Sequence, residues 1–133
     1  MFKVLQIDHV ELFVPDRREA ARWYERTLGL SVVPEFERWA EDPRGPLMIS
    51  SDGGGTKLAL FTGEPRGQRP TAGSFLEHVG TAPVFKETGE EVRSLTPHDH
   101  GQAFSVYFCD PGGHRLEVTT YDADYVRERL PPT

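Results

Sequence analysis

Cysteine is almost absent: Cys109 is the only one in 133 residues, which rules out an internal disulfide and suits a reducing compartment. Long apolar runs are missing too, and nothing approaches the roughly 20 residues that a membrane span needs. Basic residues are in deficit, with 15 Lys and Arg against 21 Asp and Glu. At a net charge of -6, nothing basic is concentrated enough to hold phosphates, which argues against a nucleic-acid binder. The opening Met1-Phe2-Lys3-Val4-Leu5 lacks a signal-peptide layout. What remains is ordinary for a folded protein: 37% hydrophobic and 11% aromatic residues, in a length that fits one domain, residues 1–133. The expectation is a cytoplasmic globular domain with neither a nucleic-acid nor a membrane partner.

Residues Ile7 to Val14 alternate as a strand does, with Val10, Leu12 and Val14 on one face and Ile7, His9, Glu11 and Phe13 on the other. Polar residues on that second face meet water or line a cavity. Pro15 stops the strand, and Asp16-Arg17-Arg18-Glu19 has capping-box spacing. Ala20, Trp23, Tyr24 and Leu28 then recur at helical spacing, ahead of Gly29 at a left-handed C-cap position. Strands are predicted over Ser31 to Arg38, Leu47 to Ser51 and Thr56 to Phe61, the last two joined by a turn at Asp52-Gly53-Gly54-Gly55. The first module, about residues 1–62, therefore reads βαβββ.

The second half, about residues 73–122, repeats this pattern imperfectly. Ser74-Phe75-Leu76-Glu77 is spaced to open a short helix closing at Gly80. Strands are predicted within Pro83 to Leu95, over Ala103 to Phe108 and over Arg115 to Tyr121, with a turn at Asp110-Pro111-Gly112-Gly113. A terminal helix is expected from Asp122 to Leu130. Lys57-Leu58-Ala59-Leu60 overlays Arg115-Leu116-Glu117-Val118, so Ala59 holds the slot that Glu117 fills in the second copy. The opening strand of that copy is not visible in Glu64 to Gly73, where two prolines and no alternation make a poor strand. Either the copy has lost it or the sequence lacks a segment there. The fold class is α+β, with paired βαβββ modules of which the second is incomplete.

Glu117 shares a strand face with Arg115, Thr119 and Tyr121, and pairing through the turn brings Tyr107 towards the same space. From spacing alone Glu117 reads equally as a solvated carboxylate. The run Thr96-Pro97-His98, seven residues, then Val106 to Glu117, resembles the signature of type I extradiol ring-cleavage dioxygenases. The opening Ile7-Asp8-His9-Val10-Glu11-Leu12-Phe13-Val14, with Trp23-Tyr24 and Leu28-Gly29-Leu30 behind it, is similar to the wider vicinal oxygen chelate superfamily. That superfamily includes glyoxalase I, fosfomycin-resistance enzymes, methylmalonyl-CoA epimerase and bleomycin-resistance proteins.

The resemblance implies modules curled as a mixed sheet around a divalent metal that chelates two adjacent substrate oxygens. It matches His9 and Glu117 to metal ligands, and Tyr107 and His98 to substrate-handling residues with catalytic roles. In dioxygenases a histidine opening the second module completes the triad, which suits Fe(II); Mn(II), Zn(II) or Ni(II) are alternatives. No histidine stands there, and Gln68 lies near the slot only by counting. Ala59, which cannot coordinate, lowers glyoxalase I and favours a dioxygenase-like or fosfomycin-like pattern. The implied function is oxygen-dependent cleavage of a catechol-like ring. Its rivals are a bleomycin-resistance-type binding module and another metal-dependent lyase or transferase. Single-domain relatives pair, so a homodimer is expected.

Readings by residue type remain open for the other groups. Tyr107 reads equally as a cavity-wall aromatic, and His98 equally as an exposed loop histidine. His100 reads as a loop residue, His78 as a helix-terminal one and His114 as exposed beyond its turn.

Overall fold

Alternating apolar residues and well-placed caps determine the first half of the chain, seen here in a computed structural model that describes residues 2–64, 71–75, 84–85, 91–92 and 95–130. β1 (His9–Val14) buries Leu12 and Val14 and leaves His9 and Glu11 exposed, as the alternation requires, while Val10 at its start stays 37% exposed. α1 (Arg17–Leu28) starts where the Asp16 carboxylate accepts from the amides of Arg18 and Glu19, at 2.8 and 2.9 Å. It ends at Gly29, whose φ of 70° lets its amide reach the open carbonyls of the last turn. Trp23 and Tyr24 are its buried anchors, set edge to face at 5.0 Å. Replacing Asp16 by Ala leaves two first-turn amides without that acceptor, so a loss of about 1 kcal/mol is expected in urea unfolding.

β2 (Ser31–Val32), β3 (Leu47–Ser50) and β4 (Lys57–Thr62) complete the first sheet, in the order β1-β4-β3-β2, with β1 and β4 parallel. The strand predicted over Ser31 to Arg38 is cut short. Pro34 has no amide to continue a ladder, and its fixed φ suits the first turn of the 3-10 segment Pro34–Glu41 that follows. Arg17 donates to the carbonyls of Ala40, Asp42 and Gly45, which ties that segment to α1.

The second sheet holds β5 (Thr71–Phe75), β6 (Val84–Phe85), β7 (Glu91–Val92), β9 (Phe104–Cys109) and β10 (Arg115–Thr120), with β8 (His98–Asp99) paired to β9. A short helix, α2 (Ala123–Arg127), follows, capped by Asp122. Core residues of the β9–β10 hairpin include Phe104, Phe108, Leu116 and Val118. The described residues group into two compact units, one carrying β1 to β4 and the other β5 to α2. No helix among them is long and apolar enough to cross a membrane.

Four further expectations are corrected. The opening strand of the second copy exists: β5 lies parallel to β10 just as β1 lies parallel to β4. Ser74 and Phe75 belong to that strand and do not begin a helix, because the β10 ladder offers their backbone groups partners that local sequence does not reveal. The rest of the predicted helix, His78 included, and Gln68 lie outside the described residues. Of the strand expected within Pro83 to Leu95, the described residues show β6 and β7, paired antiparallel. Finally, His114 is 2% exposed rather than solvated, because its Nδ1 meets the equally buried Asp110 carboxylate at 2.7 Å.

Candidate metal centre

Each unit presents a separate set of donor residues. On β1, the His9 side chain is 38% exposed and its Nδ1 lies 2.8 Å from an Asp8 carboxylate oxygen. A carboxylate can only accept, so this contact places a ring proton on Nδ1, and in the neutral tautomer Nε2 is the nitrogen that carries the lone pair. Asp8 is itself held at 2.8 Å by Nζ of the buried Lys57, which also donates to the Gly54 carbonyl at 2.7 Å. The Lys57 and His9 hydrogen bonds keep the Asp8 carboxyl below the usual carboxylate range. Glu11 stands two residues along the same face, with Oε1 3.9 Å from His9 Nε2.

In the second unit, the β9–β10 register sets Glu117 opposite Tyr107 and Thr119 opposite Ser105, all four on one face. Ser105 Oγ donates to Glu117 Oε1 at 2.6 Å, and Tyr107 Oη and Thr119 Oγ1 each donate to the same oxygen at 3.0 Å. The Ser105 hydrogen bond, aided by those from Tyr107 and Thr119, holds the Glu117 carboxyl below its ordinary value, against the opposing pull of burial. The same contact raises the Tyr107 phenol above its usual value, because losing its proton would put two anions together.

Tyr107 connects this carboxylate to the histidine segment. His100 Nε2 lies 3.3 Å from the Tyr107 oxygen, and the His98 ring meets the tyrosine ring edge-on at 5.4 Å. A phenol that gives its proton to Glu117 must accept from His100, which assigns the His100 proton to Nε2. His100, read from sequence as a loop residue, is thus brought to the phenol oxygen, while His98 packs against the ring.

Arg127 of α2 fixes that segment. It donates to both Asp99 carboxylate oxygens, at 3.2 and 3.0 Å, and to the Gly101 carbonyl. Arg127, with the Gly101 amide, keeps the Asp99 carboxyl below its ordinary value. A depressed carboxylate pKa contributes stability above the unfolded value, about 3.9, which is lost as pH falls through the lower folded value. Asp99→Asn is therefore expected to lower the thermal midpoint at pH 7, with the gap to wild type closing as the pH is taken below about 3.9.

The parallel registers align the two halves. His9 faces Lys57 and Glu11 faces Ala59, while Thr71 faces Arg115 and Gly73 faces Glu117. Thr71 therefore holds the position in the second copy that His9 holds in the first. Among the described residues no three His, Cys, Asp or Glu groups converge on one point. The donors that are present suit a divalent metal in type, a tautomer-fixed imidazole and an ionised carboxylate.

A family model for the glyoxalase/bleomycin resistance protein/dioxygenase superfamily matches residues 6–118, which takes in both of these halves. The chain belongs to this superfamily. Among curated proteins, virulence protein STM3117 of Salmonella typhimurium is 28% identical over 126 residues, 87% of this chain and 84% of that protein. Its crystal structure aligns at a TM-score of 0.55 and 20% identity, covering 90% of this chain and 99% of that one. A mutant of the fosfomycin resistance protein FosX from Listeria monocytogenes, solved with Mn(II) and a dihydroxypropylphosphonic acid, aligns at 0.62 and 13% identity, covering 96% and 100%. Oxidase ChaP-H2 aligns at 0.56 and 22%, covering 89% and 94%. At these identities the solved structures establish the shared fold alone.

Sequence reasoning missed Ser105, Thr119 and Asp8. Period-two alternation across the Asp110 to Gly113 turn already put the two hydroxyls on the Glu117 face, and that signal could have found them.

Proposed function

We propose that this superfamily member is a metal-dependent oxygenase that opens a catechol-like ring, with His9 and Glu117 as metal ligands. The observation that carries the reading is the Tyr107 hydroxyl, hydrogen-bonded both to Glu117 and to His100. Fe(II) is the preferred metal, with Mn(II), Zn(II) or Ni(II) as alternatives. When bound, such an ion supplies Lewis acidity to both oxygens of a vicinal diol and lowers their affinity for protons.

The protein's own groups then manage protons and orientation. Tyr107 stands beside the proposed ligand and can hold a substrate hydroxyl at its phenol oxygen, while His100 exchanges a proton there. His98 steadies the tyrosine ring from its edge. The overall reaction breaks the ring C–C bond beside the diol and places both atoms of dioxygen in the product. Its electrons come from the diol, so no external reductant is consumed.

An oxygen electrode tests this on protein loaded anaerobically with Fe(II) and offered simple catechols. One dioxygen consumed per catechol is expected, and no uptake with any of them would overturn the proposal. Tyr107→Phe is expected to lower turnover by about 100-fold while leaving metal content unchanged.

Thr71 at the His9-equivalent position favours a second reading, a metal-free module that sequesters a small molecule in the manner of bleomycin-resistance proteins. Tight drug binding by metal-free protein would select it. We also propose a homodimer, since β1 and β5 end their sheets among the described residues and Phe2, Val4, Leu5 and Ile7 are exposed ahead of β1. Light scattering would read its mass.

A further inference from the structure

Glu117 is braced more completely than a strand carboxylate needs to be. Three hydroxyl protons, from Ser105, Tyr107 and Thr119, all fall on Oε1. A carboxylate oxygen has two in-plane lone pairs, so three donors saturate it. Oε2 receives no hydrogen bond from the described residues. Of the three donors, Ser105 is the shortest at 2.6 Å and the most enclosed, 1% exposed and in contact with Thr119 Oγ1 at 3.0 Å. Tyr107, 40% exposed, is open to substrate and cannot serve as the fixed anchor.

We propose that Ser105 is a positioning residue that occupies Oε1 so that Glu117 ligates a metal through Oε2 alone. This rests on the reading of Glu117 as a ligand. One-point attachment has a functional consequence. A bidentate carboxylate would fill a second coordination position, whereas a braced one leaves it for the second of two adjacent substrate oxygens. The carboxylate's orientation is set by the cross-strand register that brings Ser105 and Thr119 face to face. Losing a partner that orients a ligand typically weakens metal affinity by about 10- to 100-fold.

Mn(II) is the probe, its free fraction read from the electron paramagnetic resonance signal of titrated full-length protein at neutral pH. Ser105→Ala is expected to weaken Mn(II) binding by about 10- to 100-fold. Ser105→Thr, which keeps the hydroxyl, is expected to restore most of that loss. A merely structural serine would lower the urea midpoint and leave the Mn(II) affinity of folded protein unchanged, which overturns the inference. If Ser105→Ala does not fold, Ser105→Cys keeps the volume, weakens the donor and carries the same expectation. Wild-type protein that binds no Mn(II), or Glu117→Ala protein that binds it as well as wild type, overturns the ligand reading itself. Loss in Glu117→Ala with no change in folded Ser105→Ala or Ser105→Cys overturns only the role of Ser105.

Discussion

Glu117→Gln protein is expected to fold normally yet lose divalent metal binding, with oxygen uptake falling by at least about a thousandfold, several kcal/mol of lost stabilisation. The amide keeps the shape of the side chain and an oxygen that accepts from Ser105, Tyr107 and Thr119, so the hairpin retains its cross-strand contacts. It loses the negative charge that a hard divalent ion requires. Glu117→Ala should lose metal in the same way, with a stability cost of only about 1 kcal/mol, because Ser105 and Thr119 lie 3.0 Å apart and can bond to each other. Elemental analysis beside a urea melt separates the two effects. Metal loss is the expected result in both, with an unchanged melt in Glu117→Gln and only that small loss of stability in Glu117→Ala. Retained metal in both variants would show that the carboxylate is a structural hydrogen-bond acceptor.

Asp110→Ala is expected to destabilise the chain by about 3 kcal/mol or more, the usual scale for removing one member of a buried hydrogen-bonded pair. The Asp110 carboxylate meets the His114 amide at 2.8 Å and the His114 ring at 2.7 Å, and both side chains are 2% exposed. Removing it leaves an imidazole nitrogen buried without this acceptor and releases the turn that joins β9 to β10. Those strands carry Ser105, Tyr107, Glu117 and Thr119, so metal affinity should fall together with the urea midpoint. Asp110→Asn, which keeps one acceptor for the amide, should lose less. A change in Asp110→Ala below about 1 kcal/mol would show that the Gly112-Gly113 backbone alone sets the turn.

Much of this arrangement is legible in the sequence. The alternation in β1, the Asp16 cap and Gly29 are local signals, and the structure uses each of them. The overlay of Lys57 on Arg115 was equally readable, and the parallel registers bear it out through the pairings His9–Lys57 and Thr71–Arg115. β5 was not legible, because Thr71-Ala72-Gly73-Ser74-Phe75 has no alternation and becomes a strand only through its ladder with β10. The early end of β2 was missed although Pro34 announced it. His114 looked exposed because a polar residue after two glycines usually is; here a carboxylate four residues back draws it inside.

For the site, spacing raised Glu117 and Tyr107, while the resemblance selected His98 and left His100 read as a loop residue. Both precede the tyrosine at plausible distances along the chain. Only the short β8 pairing and the Arg127 contact to Asp99 decide which imidazole reaches the phenol oxygen. The hydroxyls around Glu117 depend on cross-strand register in the same way.

The decisive measurement is metal stoichiometry by equilibrium titration of Fe(II) or Mn(II) into metal-free wild-type, His9→Ala and Glu117→Gln protein. One ion per chain in the wild type, with affinity lost in each single variant, is the predicted result. Wild-type protein that takes up no ion, or variants that bind as tightly as wild type, would contradict a metal centre built on His9 and Glu117.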